Sequence, residues 1–161
     1  VDTRLLHGQV ATGWTHSTHP DRIIVVSDTV CHDKLRTNMI KQAAPSGVQV
    51  HVIPIKNMVK ANNDPRFGDT RAMLLFESVE DALAAVKAGV DVKEINLGSS
   101  AYKEGKVNVT KALSFDQTDV DAIKELQSLG VKFDVRGVPS DSPANVDALI
   151  KSAETKLAEK K

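Results

Sequence analysis

The chain has 161 residues, enough for one domain to bury a real core without metals or disulfides. Its 21 Lys and Arg balance 21 Asp and Glu, so no overall field draws it to nucleic acid or anionic lipid. A lone cysteine, Cys31, excludes an internal disulfide, and no run approaches the ~18 apolar residues that a membrane-spanning helix needs.

In chain order, Val1 is expected to close a first strand whose beginning is missing, leaving residues 2 to 7, "DTRLLH", as the loop at its carboxyl end. "GQVATGWTHS" (8 to 17) has helical spacing at Gln9, Val10, Ala11 and Trp14. "RIIVV" (22 to 26) reads as a strand and "KLR" (34 to 36) as a solvated helix face. "VQVHVI" (48 to 53) reads as a strand with His51 pointing outward, and "KANNDPRFGD" (60 to 69) as a polar loop broken by Pro65 and Gly68. "AMLLF" (72 to 76) is the next strand. "SVEDALAAVKAG" then starts a helix at Ser78 and Asp81 and stops it at Gly89. After the strand "EINL" (94 to 97), "DQTDVDAIKELQSLG" predicts a helix with Val120, Ile123 and Leu126 inward and Gly130 at its end. "VKFDVR" (131 to 136) is a last strand. "DSPANVDALIKSAETKLAEKK" predicts an amphipathic helix from near Pro143, capped by Asp141 or Ser142 and fading into a solvated, frayed tail. Apolar strands alternating with helices predict a three-layer α/β/α domain over residues 1 to 161, with a mainly parallel central sheet.

Ligands of such sheets gather beyond the carboxyl ends of the strands. The loop 2 to 7 leaves that edge, which places His7 at the start of a helix, where unpaired N–H groups and the helix dipole attract anions. Gly8 allows a ligand close to the backbone, and Arg4 supplies a planar charged fork suited to phosphate. The dipole favours a neutral ring at His7, and a neutral imidazole facing an anion cradle is a good phosphoryl acceptor. The bland alternative, with His7 as a cap and Arg4 as a surface charge, stands beside this reading, since Arg-x-x-His is weakly specific.

Arg136 ends a strand on the same edge, where it either approaches a phosphate or partner or serves the structure alone. Trp14 is a contact anchor or a core residue. His16, His19, Cys31 and His32 lack the spacing of a zinc site, so no metal is expected. Ser78, which with Asp69 brackets a strand, is explained as a helix cap. No G-x-x-x-x-G-K-[ST] or G-x-G-x-x-G motif is present, so no phosphoryl group is expected directly from ATP.

The stretch "VDTRLLHGQVATGW" closely resembles the opening of the IIB component of the mannose/fructose/sorbose family of the sugar phosphotransferase system (PTS). The likeness continues through "DRIIVVSD", "KQAAPSGVQV", "GDTRAMLLFESVEDALAAVKAG", "KEINLG" and "LGVKFDVRGVPSDSP". The resemblance implies a protein-Nπ-phosphohistidine–sugar phosphotransferase in which His7 carries the phosphoryl group. Carried over, Asp2 and Arg4 belong to the loop of His7; Thr3, Gly8, Gln9, Ser99 and Arg136 are the further candidate phosphate-binding residues, read from their positions in this sequence. The implied donor is a phosphorylated IIA protein or domain, and the acceptor is a sugar entering through membrane IIC and IID. No cofactor is implied. The implied location is the cytoplasm, at the inner face of the plasma membrane through IIC and IID. The chain departs from the family at "NLGSSAY", where a glycine pair and a Met are frequent; Ser99 and Ser100 there either donate hydrogen bonds to a phosphate or reflect a different sugar branch. Two rival classes are an anion-binding module without covalent chemistry and an interaction scaffold in which His7 is dispensable.

Overall fold

Residues 23 to 26 are four β-branched side chains in a row, so a strand built from them has no polar face. In the computed structural model, which describes residues 1 to 8 and 10 to 160, this strand is β1 (Arg22–Val26), central in its sheet. It pairs in parallel with β2 (Gln49–Ile53) on one side and β3 (Ala72–Leu75) on the other, with Arg22 opposite both Gln49 and Ala72. Ile24 and Val26 enter a core with Met58, Ala82 and Ile95, while Ile23 and Val25 meet Leu6, Val10 and Ile40 on the opposite face. One strand feeding two cores is what a sheet covered on both faces requires.

Beyond β3, residues 1 to 3 occupy the position of a further parallel strand. Asp2 N–H donates to Phe76 O (3.0 Å), Gly98 N–H to Val1 O (2.9 Å) and Thr3 N–H to Ser99 O (3.2 Å). On their far side lies β4 (Glu94–Leu97), and β4 pairs in parallel with the late strand Lys132–Val135. Val1 therefore runs along the sheet and hands the chain to a loop at the carboxyl edge, as the sequence predicts. A short antiparallel hairpin, β5 (Val107–Asn108) with β6 (Ser114–Phe115), makes Lys132–Val135 the seventh strand, β7. The hairpin escapes sequence reading because two-residue strands show no periodicity.

The helices follow caps that the sequence announces. A π-helical turn, Val10–Trp14, runs into α1 (Thr15–Thr18), and Asp33 starts α2 (Lys34–Gln42). Ser78 starts α4 (Val79–Lys87) by accepting from Asp81 N–H. Asp116 and Asp119 cap α5 (Gln117–Ser128) reciprocally, and Val120, Ile123 and Leu126 are fully buried as expected.

Three expectations need correction. The polar segment 60 to 69 is not all loop: α3 (Ile55–Asn62) extends into it, drawn onto the core by the buried Met58, and Pro65–Phe67 form a 3-10 turn. The last helix, α6 (Val146–Glu159), is capped by Asn145 rather than Asp141 or Ser142. Its tail stays helical to Glu159, with Lys156 Nζ on Asn108 O (2.6 Å) and Lys160 Nζ on Lys106 O (3.0 Å). His51 does not face outward; Val50 and Val52 pack toward the α1/α2 side, so strand alternation turns His51 to the other covered face. There its Nε2 is buried without a partner among the described residues, and burial with Arg22 and Lys41 nearby holds its pKa below the usual value.

Candidate functional site

Asp2 organises the loop that leaves the sheet. Its Oδ1 accepts the N–H of Arg4 (2.8 Å), a local turn that aspartate favours, and its backbone oxygen accepts the N–H of Leu5 (2.9 Å). Closing so tight a turn puts Leu5 at φ 59°, in the left-handed region. That conformation costs a non-glycine residue roughly 1–2 kcal/mol, but Leu5 is fully buried, and burying a leucine side chain is worth about 1.5–3 kcal/mol. Packing outweighs strain, and the loop holds one shape.

The turn brings His7 back over Asp2. His7 Nε2 lies 2.7 Å from Asp2 Oδ2, and since an ionised carboxylate can only accept, Nε2 carries the proton. In the neutral ring the lone pair is then on Nδ1. The backbone oxygen of His7 accepts the N–H of Ala11 (2.7 Å), which places His7 at the head of the helical segment, as the sequence predicts. The Arg4 side chain is 59% exposed and its Nε stands 3.8 Å from Asp2 Oδ1, a loose ion pair. A Cβ at Gly8 would meet nothing within 4 Å, so the space beside His7 is open. Gln9 lies outside the described residues.

Two neighbouring segments fix the loop from behind. At Gly98 a Cβ would sit 3.2 Å from Asn96 Oδ1 and 3.4 Å from Val1 O, so a glycine eases the close approach of β4 to residue 1. Thr3 is pinned on the other side, donating from its amide to Ser99 O and accepting Ala101 N–H at Oγ1 (2.9 Å). Ser99 thus meets the loop through its backbone, and Ser100 Oγ is spent on Ser114 O (2.8 Å). Both serines line a cleft of about 300 Å³ with Thr3, Arg36, Lys103 and Lys106.

Arg136 shares a second cleft with Asp2, Gly98 and Trp14. Its Nε donates to Asp134 Oδ1 (2.9 Å), its Nη1 to Pro139 O (3.0 Å), and its guanidinium stands 5.2 Å from the Trp14 ring centroid. Trp14 is half-buried against the α1/α2 core and donates its indole N–H to Gly137 O (3.1 Å). It ties the first helix to the loop after β7 and so orders Arg136, which makes it a packing residue of the site. Asp141, released from capping, accepts the N–H groups of Gly137 and Val138 (3.1 Å each) and fixes the same loop.

The sequence reading misses Arg36. "KLR" is not wholly solvated: Asp33 caps α2 through Arg36 N–H (3.0 Å), and this register turns the Arg36 guanidinium onto Thr3 O (3.2 Å) and the carboxylate of Glu77. Asp134 is missed too, although its spacing of two from Arg136 on a strand announces a shared face.

A second charged cluster lies beneath the first cleft. Asp119 is buried; it accepts from Lys106 Nζ (2.8 Å) and Asp116 N–H (3.0 Å). Burial and the neighbouring Asp119 push Glu80 up to about 7. Single oxygens of Glu80, Asp116 and Asp119 lie within 4.8 Å of one another, a spacing a cation would accept, but the Lys106 ammonium already stands against this group. His16 and His19, with ring centroids 5.9 Å apart, form no such group with Cys31 and His32 among the described residues.

The profile of the family described as "PTS system sorbose subfamily IIB component" matches residues 1–161. The PTS system sorbose-specific EIIB component of Lacticaseibacillus casei is 38% identical over 150 residues, 93% of this chain and 92% of that protein. The PTS system mannose-specific EIIAB component of Escherichia coli is 41% identical over 150 residues, 93% of this chain but only 46% of that protein, so the chain spans about half the length of this relative. Among solved structures, the IIBSor domain of the sorbose permease from Klebsiella pneumoniae superposes with a TM-score of 0.90 at 38% identity, covering 94% of this chain and 93% of that one.

Proposed function

The chain belongs to the sorbose subfamily of PTS IIB components, and from that premise we propose that it is a phosphocarrier whose His7 takes a phosphoryl group from a phosphorylated IIA protein and passes it to a sugar. The observation that carries this reading is the 2.7 Å contact of Asp2 with His7 Nε2, because it leaves Nδ1 as the nucleophile.

In the first transfer the Nδ1 lone pair forms a bond to phosphorus as the phosphorus–nitrogen bond of the donor histidine breaks, and the bonding pair stays on the donor nitrogen. Asp2 steadies the positive ring that results. Arg4, exposed beside the ring, neutralises the equatorial oxygens. Gly8 offers an amide, Thr3 holds the loop in place through its bonds to Ser99 and Ala101, and Arg136 and Ser99 complete the cradle; Gln9 is assigned to it from the sequence alone. In the second transfer a sugar hydroxyl oxygen bonds to phosphorus, the pair returns to Nδ1, and the hydroxyl proton passes to a base of the sugar-bearing partner. That partner is the membrane IIC/IID complex, and the chain works as a single IIB domain in the cytoplasm against the inner face of the membrane. No helix among the described residues is long and apolar enough to cross a membrane.

Relatives of similar identity are specific for mannose, sorbose, fructose and N-acetylgalactosamine. These relatives support a hexose, ketohexose or N-acetylhexosamine as the substrate class, with the choice made by the membrane partner. The test is incubation with phosphorylated IIA followed by mass spectrometry under base-stable conditions. An acid-labile phosphate on the peptide containing His7 is expected, and label that persists in His7→Ala refutes the assignment.

A further inference from the structure

We propose that Leu35 and Met39 on α2, with Tyr102 across the cleft, form the docking surface for the phosphoryl donor, which meets it with apolar side chains ringed by acidic ones. This rests on the phosphocarrier reading above.

Four large hydrophobic side chains are conspicuously exposed among the described residues: Leu35 (72%), Met39 (62%), Tyr102 (59%) and Leu129 (52%). Leu35 and Met39 are four apart and so share one face of α2. Arg36, adjacent to Leu35, holds Thr3 O, and Ala101 and Lys103, on either side of Tyr102, line the same cleft as Arg36 and Thr3. Leu35 and Tyr102 are thus each next in sequence to residues that share the cleft with Thr3, and Met39 lies one helical turn beyond Leu35. The fourth, Leu129, precedes β7 at the opposite edge of the parallel sheet.

Charge selects the occupant. Helix α2 carries Lys34, Arg36 and Lys41 and no acidic residue; Arg36 is paired with Glu77, which leaves Lys34 and Lys41, with Lys103 across the cleft, as the basic side chains of this side, although the chain as a whole is neutral. A second copy would set basic on basic across a two-fold axis. A bilayer is a poor match for two apolar side chains on a helix of nine residues. A protein surface that is apolar at its centre and acidic at its rim, with a negatively charged phosphohistidine beside it, satisfies both the patch and its surroundings.

The experiment titrates phosphorylated IIA against the parent chain, Leu35→Asp/Met39→Asp, and Leu129→Asp as the control at the far edge, with circular dichroism to verify folding. In parallel, phosphoramidate, a small phosphoryl donor that needs no docking surface, is used to label His7. The double variant is expected to need about tenfold more phosphorylated IIA for half-maximal rate, with parent labelling by phosphoramidate and no change in Leu129→Asp. An unchanged titration in the double variant, or an equal loss in Leu129→Asp, overturns the docking surface while leaving the carrier reading intact. A parent chain that takes no label at His7 from either donor overturns both. Sedimentation with vesicles of anionic phospholipid that the double variant loses assigns the surface to lipid and overturns the proposal as well.

Discussion

The loop of residues 2 to 7 and the cluster around Asp119 are built from the same materials, a buried carboxylate beside basic side chains, and they use them differently. Asp2 divides its oxygens between its own backbone turn and the ring of His7, and the Arg4 side chain, at 3.8 Å from Oδ1, stays exposed. Asp119 gives its Oδ2 both to the cap of α5 and to Lys106, whose side chain is only 16% exposed. One arrangement sets an exposed guanidinium beside its half-buried nucleophile; the other has no exposed charge. The difference lies in the backbone: a strand ending in a tight turn presents its carboxylate to a loop, whereas a helix start turns its carboxylate inward.

Variants at the two places should therefore separate transfer from stability. His7→Ala is expected to abolish phosphoryl acceptance while lowering stability by only about 1 kcal/mol, one hydrogen bond; radiolabel transfer and urea melts measure the two. Asp119→Ala reverses the pattern. It strands the Lys106 ammonium in a buried site and removes half of a capping box, so a loss of about 3–5 kcal/mol in urea unfolding is expected, with the folded fraction still accepting phosphate. If Asp119→Ala left stability untouched, the contrast between the regions would fail.

Arg4→Ala comes next, at about 2–4 kcal/mol on the transfer barrier, or roughly 30- to 1,000-fold in rate, and within about 0.5 kcal/mol on stability because its side chain is exposed. Rapid-quench kinetics decide it, and Arg4→Lys should recover only part of the rate, since a point charge cannot grip two oxygens. A parent rate in Arg4→Ala would shift the charge-neutralising role to Arg136 or the loop amides.

The smallest effect concerns pH. Glu80 titrates at about 7 in the fold against a usual 4.5, so the fold favours its uncharged form. That contribution is complete below about pH 4.5 and is lost as pH rises through about 7. Partial solvent exposure reduces it to about 1 kcal/mol between pH 5 and pH 8. Glu80→Gln should flatten this slope in urea melts across that range, and an unchanged slope would detach Glu80 from the cluster.

Most of the sheet was legible because its strands are short β-branched runs and its helices start at Ser78 and Asp116, whose caps are local chemistry. The loop was legible for the same reason: Asp2, Arg4 and His7 are near neighbours in sequence. What was not legible depends on distant partners. The positive φ of Leu5 comes from packing beneath β1, and leucine carries no preference for it. Arg36 reaches Thr3 across 33 positions, and Asn145 caps α6 while Asp141 is engaged by the loop after β7. The helix at 55 to 62 was hidden by its polar end, although Ile55, Met58 and Val59 share one face.

The most direct test of the central claim is the ring nitrogen that bears phosphorus. Chain labelled with ¹⁵N-histidine is phosphorylated by phosphorylated IIA and followed by long-range ¹H–¹⁵N and ³¹P NMR. Because Asp2 holds Nε2 at 2.7 Å, phosphorus should couple to Nδ1 of His7 while Nε2 keeps its proton. Phosphorus on Nε2, or on any residue other than His7, would contradict the role of Asp2 and the chemistry built on it.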